Sequence, residues 1–149
     1  MKWKPSGTAA ESAQAALPRQ VQKYFKAGRK AANGKRSAKQ LHRFRIATKE
    51  FRYSLELFRP VYGPSLERHI GALRELQSIL GKLNDHHTLK PFFKADKALR
   101  AKLDEAMEKH RSQFHDRWKT LDTDGEEKRW KSYFGRARRS GARQPPAFP

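Results

Sequence analysis

Leu41-His42-Arg43-Phe44-Arg45-Ile46-Ala47-Thr48-Lys49-Glu50-Phe51-Arg52-Tyr53-Ser54-Leu55-Glu56-Leu57-Phe58 is the stretch that decides the fold class. At about 100° per residue, Leu41, Phe44, Phe51, Leu55 and Phe58 fall on one side of a helix, and Thr48 completes their spacing of three and four. That is a stripe made to face a core. His42, Arg45, Lys49 and Arg52 repeat the same spacing one residue later, within an arc of about 80°. Ile46, Tyr53 and Leu57 lie beyond them, so the cations are bordered by apolar residues on both sides. The polar face is elsewhere, at Lys39, Arg43, Glu50 and Ser54.

Working outward, Ser37 followed by Gln40 reads as a capping box, which predicts a helix from Ala38 to Arg59 that stops at Pro60. Before it, a helix starting near Ser6 or Thr8 runs to about Ala32, with Leu17, Val21, Tyr24 and Phe25 on its apolar face. Pro18 predicts a kink there, or a late start near residue 16. After it, Gly63-Pro64-Ser65 opens a third helix from Ser65 to Leu83, striped by Leu73, Leu76, Leu80 and Leu83. Asn84 to Thr88 reads as a connector. A fourth helix is expected from Leu89 to Leu121 with Pro91 in its first turn. Its core candidates are Phe92, Leu99, Leu103, Met107, Phe114, Trp118 and Leu121. A short helix over Glu126 to Phe134 follows the break at Asp122 to Gly125.

No strand-like alternation persists anywhere in the chain. These elements predict an all-α protein, an up-and-down four-helix bundle. Residues 1–14 are expected to be a flexible basic segment, 15–121 the bundle and 122–135 a short helical extension. Residues 136–149, with four arginines and three prolines, are expected to be a disordered basic tail.

Composition narrows the partner. Lys and Arg number 34 against 15 Asp and Glu, a formal charge of +19. A surplus of that size attracts nucleic acid, anionic lipid or polyphosphate without choosing among them. There is no cysteine, which excludes disulfides and thiolate zinc sites. No apolar run is long enough to insert in a membrane, and no signal-peptide core follows Met1, so a cytoplasmic location is the expectation.

The arc on the second helix is the feature that carries chemistry. Like charges stacked at helical spacing repel one another, and sinking them between apolar strips adds a desolvation cost. A bound polyanion relieves both. Arginine offers forked donors to phosphate oxygens, lysine offers a point charge, and a histidine beside phosphates can take up a proton. The competing reading is that Glu56, Asp85 or Glu75 neutralises the stripe. Asp85 reads as a cap for the fourth helix or a partner for Arg45.

Other signals are weaker. Six histidines invite a metal site, but His86-His87 and His110/His115 lack the four-residue spacing of a zinc helix, so no metal or other cofactor is expected. Gly81 belongs to no phosphate-loop pattern. Trp118 and Trp130 suit base stacking in principle, and Trp118 suits core packing better. No nucleophile elbow or metal-binding carboxylate cluster is readable, so the expectation is a binding module and not an enzyme.

His42-x-x-Arg45-Ile46-x-x-Lys49-x-x-Arg52-Tyr53-x-x-Glu56-x-Phe58 resembles the signature helix of the CHAD domain, the conserved histidine α-helical domain. Leu73-x-x-Leu76-Gln77-x-x-Leu80-Gly81-x-x-Asn84-Asp85 resembles its second signature, and order and separation agree. The resemblance covers about residues 15–121. It implies a helical bundle that binds inorganic polyphosphate through His42, Arg45, Lys49 and Arg52, with Arg74 and Lys82 on the next helix. It also implies an association with polyphosphate or polyester granules, as in some members. Many CHAD domains hold two four-helix units, whereas this chain has room for one; His110-Arg111 and His115-x-Arg117 do not repeat the motif. A homodimer meeting through Ile46, Tyr53 and Leu57 would supply the second unit. Nucleic acid remains the alternative partner.

Overall fold

The computed structural model describes residues 8–34 and 36–136. Their regular structure is entirely helical: α1 (Ala9–Ala32), α2 (Ala38–Leu57), α3 (Arg59–Tyr62), α4 (Leu66–Leu89), a 3-10 turn (Lys90–Phe93), α5 (Lys97–Leu121) and α6 (Glu126–Gly135). The architecture is an all-α bundle whose most extensive packing joins α2 to α4, α1 to α6 and α4 to α5.

Each of the first two helices begins where its cap dictates. Thr8 Oγ1 accepts the Glu11 N–H at 3.1 Å. The capping box of α2 is complete: Ser37 Oγ accepts the Gln40 N–H at 3.2 Å, and Gln40 Oε1 accepts the Ser37 N–H at 3.0 Å. α1 takes the earlier of its two expected starts and continues through Pro18, so residues 9–14 of the expected N-terminal segment are helical. Ala13, Leu17 and Val21, on either side of that proline, are fully buried. Their burial outweighs the hydrogen bond that proline removes. The rest of the expected flexible segment, residues 1–7, and the expected tail from residue 137 onward lie outside the described residues.

The α2 stripe is buried as its spacing predicts, from Leu41 to Phe58. Thr48 sits within it with no exposure. Its hydroxyl is satisfied twice, by the Tyr24 hydroxyl at 2.8 Å and by the Phe44 carbonyl at 2.8 Å. Tyr24 also stacks on Phe44 at 5.1 Å, so one residue of α1 fixes the rotation of α2 by shape and by hydrogen bonding together. Burial holds the Tyr24 hydroxyl well above the usual tyrosine range, against the lowering effect of the Thr48 bond.

Three boundaries differ from expectation. α2 ends at Leu57, because Pro60 does not stop it but starts α3, where a missing N–H is no loss. Asn84 to Thr88 is not a connector. It continues α4 to Leu89, since these polar residues weaken a helix without breaking it, and the break waits for Pro91. The fourth long helix therefore starts at Lys97, capped by Asp96, whose carboxylate accepts the Leu99 N–H at 3.0 Å. Asp85 lies exposed inside α4 and caps nothing.

As a result α4 and α5 extend past the core as a hairpin. Leu83 is the last buried residue of α4, and Phe114 is the first of α5. Of the seven core candidates on the fourth helix, only Phe114 and Trp118 are buried. Phe92 is 79% exposed and Leu99 44%, because among the described residues no other element reaches the hairpin tip; Leu103, Met107 and Leu121 are half-buried.

The place of α6 is the larger surprise. Trp130 and Phe134 are core residues. Tyr62 donates its hydroxyl to the Phe134 carbonyl at 2.8 Å, and Arg29 of α1 grips Asp122 through two bonds of 2.9 Å and Glu127 at 2.7 Å. What reads in sequence as an extension closes one side of the bundle.

Candidate polyanion site

The contacts between α2 and α4 give their relative direction. Arg45 approaches Gly81, Arg52 bonds Gln77 and Glu56 meets Arg74. Numbers rise along α2 as they fall along α4, so the helices are antiparallel and the basic arc of α2 lines their junction. Turning the leucine stripe of α4 and the phenylalanine stripe of α2 inward leaves the arc half-buried at the edge of the core.

His42, Arg45, Lys49 and Arg52 share this face, all of them half-buried, and Arg74 and Lys82 are exposed on α4. The junction has two unlike ends. At one, Arg52 donates Nη1 to Glu56 Oε1 at 2.6 Å and Nε to Gln77 Oε1 at 2.8 Å. Arg74 Nη2 reaches the same Glu56 oxygen at 3.4 Å. At the other, Arg45 Nε and His42 Nδ1 are buried without any hydrogen-bond partner. Lys49 has only the face of Tyr53, its Nζ 6.0 Å from the ring centre. Among the described residues, His42, Arg45, Lys49 and Lys82 have no ion-pair partner. Lys82 follows Gly81 in α4 and bonds to none of the other five.

The neutralisation that the sequence allows is thus real for Arg52 and Arg74 and absent for the rest. Glu75 is engaged elsewhere, with Arg117 at 2.9 Å, and Asp85 forms no ion pair with Arg45. A donor buried without an acceptor costs about 1–3 kcal/mol, more when it is charged. The open end therefore favours any ligand that brings anionic oxygens. Tyr53 also lies under Arg52, 4.7 Å from the guanidinium carbon, and so holds two cationic heads at once. Sequence reasoning placed Tyr53 in the apolar strip and missed Gln77 as the anchor of Arg52. Only the antiparallel register brings Gln77 there.

Two clefts lie elsewhere on the bundle. One, of about 570 Å³, lies between α4 and α5 around Glu75, Asp116 and Arg117. The other, of about 400 Å³, lies at His69, Trp130 and Tyr133. Neither contains a residue of the arc. A linear anion carrying charge along its whole length suits a groove more than a cavity, so the geometry of the junction outweighs cleft size here. Trp118 and Trp130 are each 4% exposed, so neither presents a ring for stacking on bases. Among the described residues no group of three His, Asp or Glu could hold a metal ion, and no helix is long and apolar enough to cross a membrane.

The class defined so far is a helical bundle with a groove of partly unpaired cations. The CHAD domain family matches residues 2–94, more than half of the chain, and the protein belongs to that family. Both signatures fall inside the match, which ends within the hairpin and leaves α5 and α6 outside it, short of the limit at residue 121 that the motifs suggested. CHAD domains are associated in general with polyphosphate binding. No curated protein and no solved structure matches the chain.

Proposed function

We propose that this protein binds inorganic polyphosphate along the α2–α4 junction, with His42, Arg45, Lys49 and Arg52 from α2 and Arg74 and Lys82 from α4. The observation that carries the reading is the pair of unanswered polar atoms at the open end: the Arg45 Nε donor and His42 Nδ1 are buried and have no hydrogen-bond partner among the described residues. Phosphate oxygens spaced along a chain supply acceptors to successive turns of α2, and the arginines receive them through forked donors. The chain acts as a binding module in this reading, within the cytoplasm and at polyphosphate granules, and performs no chemistry on its ligand.

The buried state of Trp118 and Trp130 argues against a nucleic-acid reading, which would rest on net charge alone. The test is a competition at one stated salt concentration between long-chain polyphosphate, duplex DNA and RNA. Polyphosphate should displace both nucleic acids at equal phosphate concentration. Equal competition by all three would reduce the site to a general cation surface. Ile46, Tyr53 and Leu57 remain 41%, 49% and 61% exposed, which supports the further proposal that two copies pair through this strip.

A further inference from the structure

The two ends of the junction differ: one is already occupied by a carboxylate. Glu56 Oε1 lies 2.6 Å from Arg52 and 3.4 Å from Arg74, so a single oxygen receives donors from both helices. That is the contact a phosphate oxygen would make. We propose that Glu56 is an internal competitor for the anion site, standing in for a phosphate group at the Arg52–Arg74 end, so that a polyphosphate chain seated at the His42–Lys49 end must displace it to engage these two arginines. This inference rests on the polyphosphate reading above and adds a specificity-determining residue to it.

A simpler role for Glu56 would be to hold Arg52 in position. The geometry argues against that. Arg52 is already held by Gln77 at 2.8 Å through Nε, and its guanidinium carbon lies 4.7 Å from the centre of the Tyr53 ring. Removing the Glu56 charge leaves both contacts in place. Glu56 itself is 24% exposed, and Arg74 is 55% exposed, so a competing phosphate can reach the shared oxygen's position from solvent. By contrast, none of the cations at the open end has an ion-pair partner among the described residues. Along the helix axis, His42 to Lys49 spans about 10 Å and His42 to Glu56 about 21 Å. Glu56 therefore decides whether half or all of the groove is available to a chain.

The test compares wild type, Glu56→Gln and Glu56→Ala, with tripolyphosphate and long-chain polyphosphate as probes, over a series of salt concentrations. Glutamine keeps the shape and an oxygen acceptor but removes the charge; alanine guards against a folding artefact of the first variant. Long-chain polyphosphate should bind both variants roughly five- to tenfold more tightly, the effect of one nearby charge removed. The slope of log affinity against log salt should steepen by about one to two, as Arg52 and Arg74 become free to engage phosphates. Tripolyphosphate, short enough for the roughly 10 Å open end, should gain less than twofold. Weaker binding by the variants would make Glu56 a positioning residue and overturn the proposal. So would an unchanged affinity and slope. Arg45→Ala in the same assay separates the two levels. If it loses affinity while the Glu56 variants gain none, the competitor role alone fails. If it loses none, the polyphosphate site fails and the competitor role with it.

Discussion

Replacing Arg45 by methionine should move stability and affinity in opposite directions. Methionine keeps an unbranched apolar stem that reaches about as far as the Arg45 Nε and removes the charge and every donor. In the free protein Arg45 Nε is buried with no acceptor, beside other cations of the same arc. Such a donor costs about 1–3 kcal/mol, and the like charges on α2 add a few tenths more. Relief of about 1 kcal/mol raises the melting temperature by roughly 2–4 °C for a chain of this size. In the complex the same side chain provides a charge-assisted bond to phosphate, worth about 1.5–3 kcal/mol. Its loss weakens polyphosphate binding by roughly 10- to 100-fold. Thermal unfolding without ligand and fluorescence anisotropy with labelled polyphosphate measure the two quantities on one preparation. An Arg45→Met protein that melts lower than the parent and binds equally well would refute the reasoning, because it would show that Arg45 is a structural residue satisfied within the fold.

Three more expectations follow from contacts away from the arc. In Gly28→Ala the new methyl would sit 2.0 Å from the Trp118 indole, so the ring must move; a loss of about 1–3 kcal/mol in denaturant unfolding is expected, despite alanine's better helix propensity. His69, 3% exposed, stacks on Tyr133 at 4.5 Å and meets Trp130 edge-on. Burial first, and Arg68 second, push its imidazole down to about 4, against the opposing pull of the Ser65 backbone and Glu126. A lowered value means that the fold prefers the neutral ring. Its contribution is complete above the ordinary value near 6.5 and is lost as pH falls to about 4, a change on the order of 3 kcal/mol. His69→Phe should therefore lose less stability than wild type across that window, measured as the difference between the two melting curves; parallel curves would remove His69 as the cause. Finally, static light scattering at micromolar concentration should detect a dimer that polyphosphate strengthens, and Leu57→Lys should return it to monomer. A monomer with and without polyphosphate would end the pairing proposal.

Periodicity alone determined which faces of the first three long helices turn inward. Leu17, Val21, Tyr24 and Phe25, the six stripe residues from Leu41 to Phe58, and Leu73, Leu76, Leu80 and Leu83 of α4 are all buried, because a helix of fixed pitch can hide only residues three and four apart. The capping box at Ser37 fixed the start of α2 for an equally local reason, hydrogen bonds between residues three apart. The four cations of the α2 arc share one face by the same spacing, whereas Arg74 and Lys82 entered the candidate site only through the family resemblance. Tertiary structure decided what local pattern cannot carry. Asn84 to Thr88 looks like a loop by composition, yet it continues a helix already nucleated and packed along its earlier turns. Phe92 and Leu99 look like core, yet the hairpin carries them past the buried core of the described residues. Trp130 and Phe134 belong to a short helix of weak pattern, and they are buried because α1 offers a complementary face more than ninety residues away in sequence. The division within the basic arc is partly of the same origin. Glu56 answers Arg52 locally, from four residues further along α2, but the antiparallel register decides what α4 sets opposite each cation: it gives Arg52 Gln77 and brings Arg74 to Glu56, while leaving Arg45 beside Gly81.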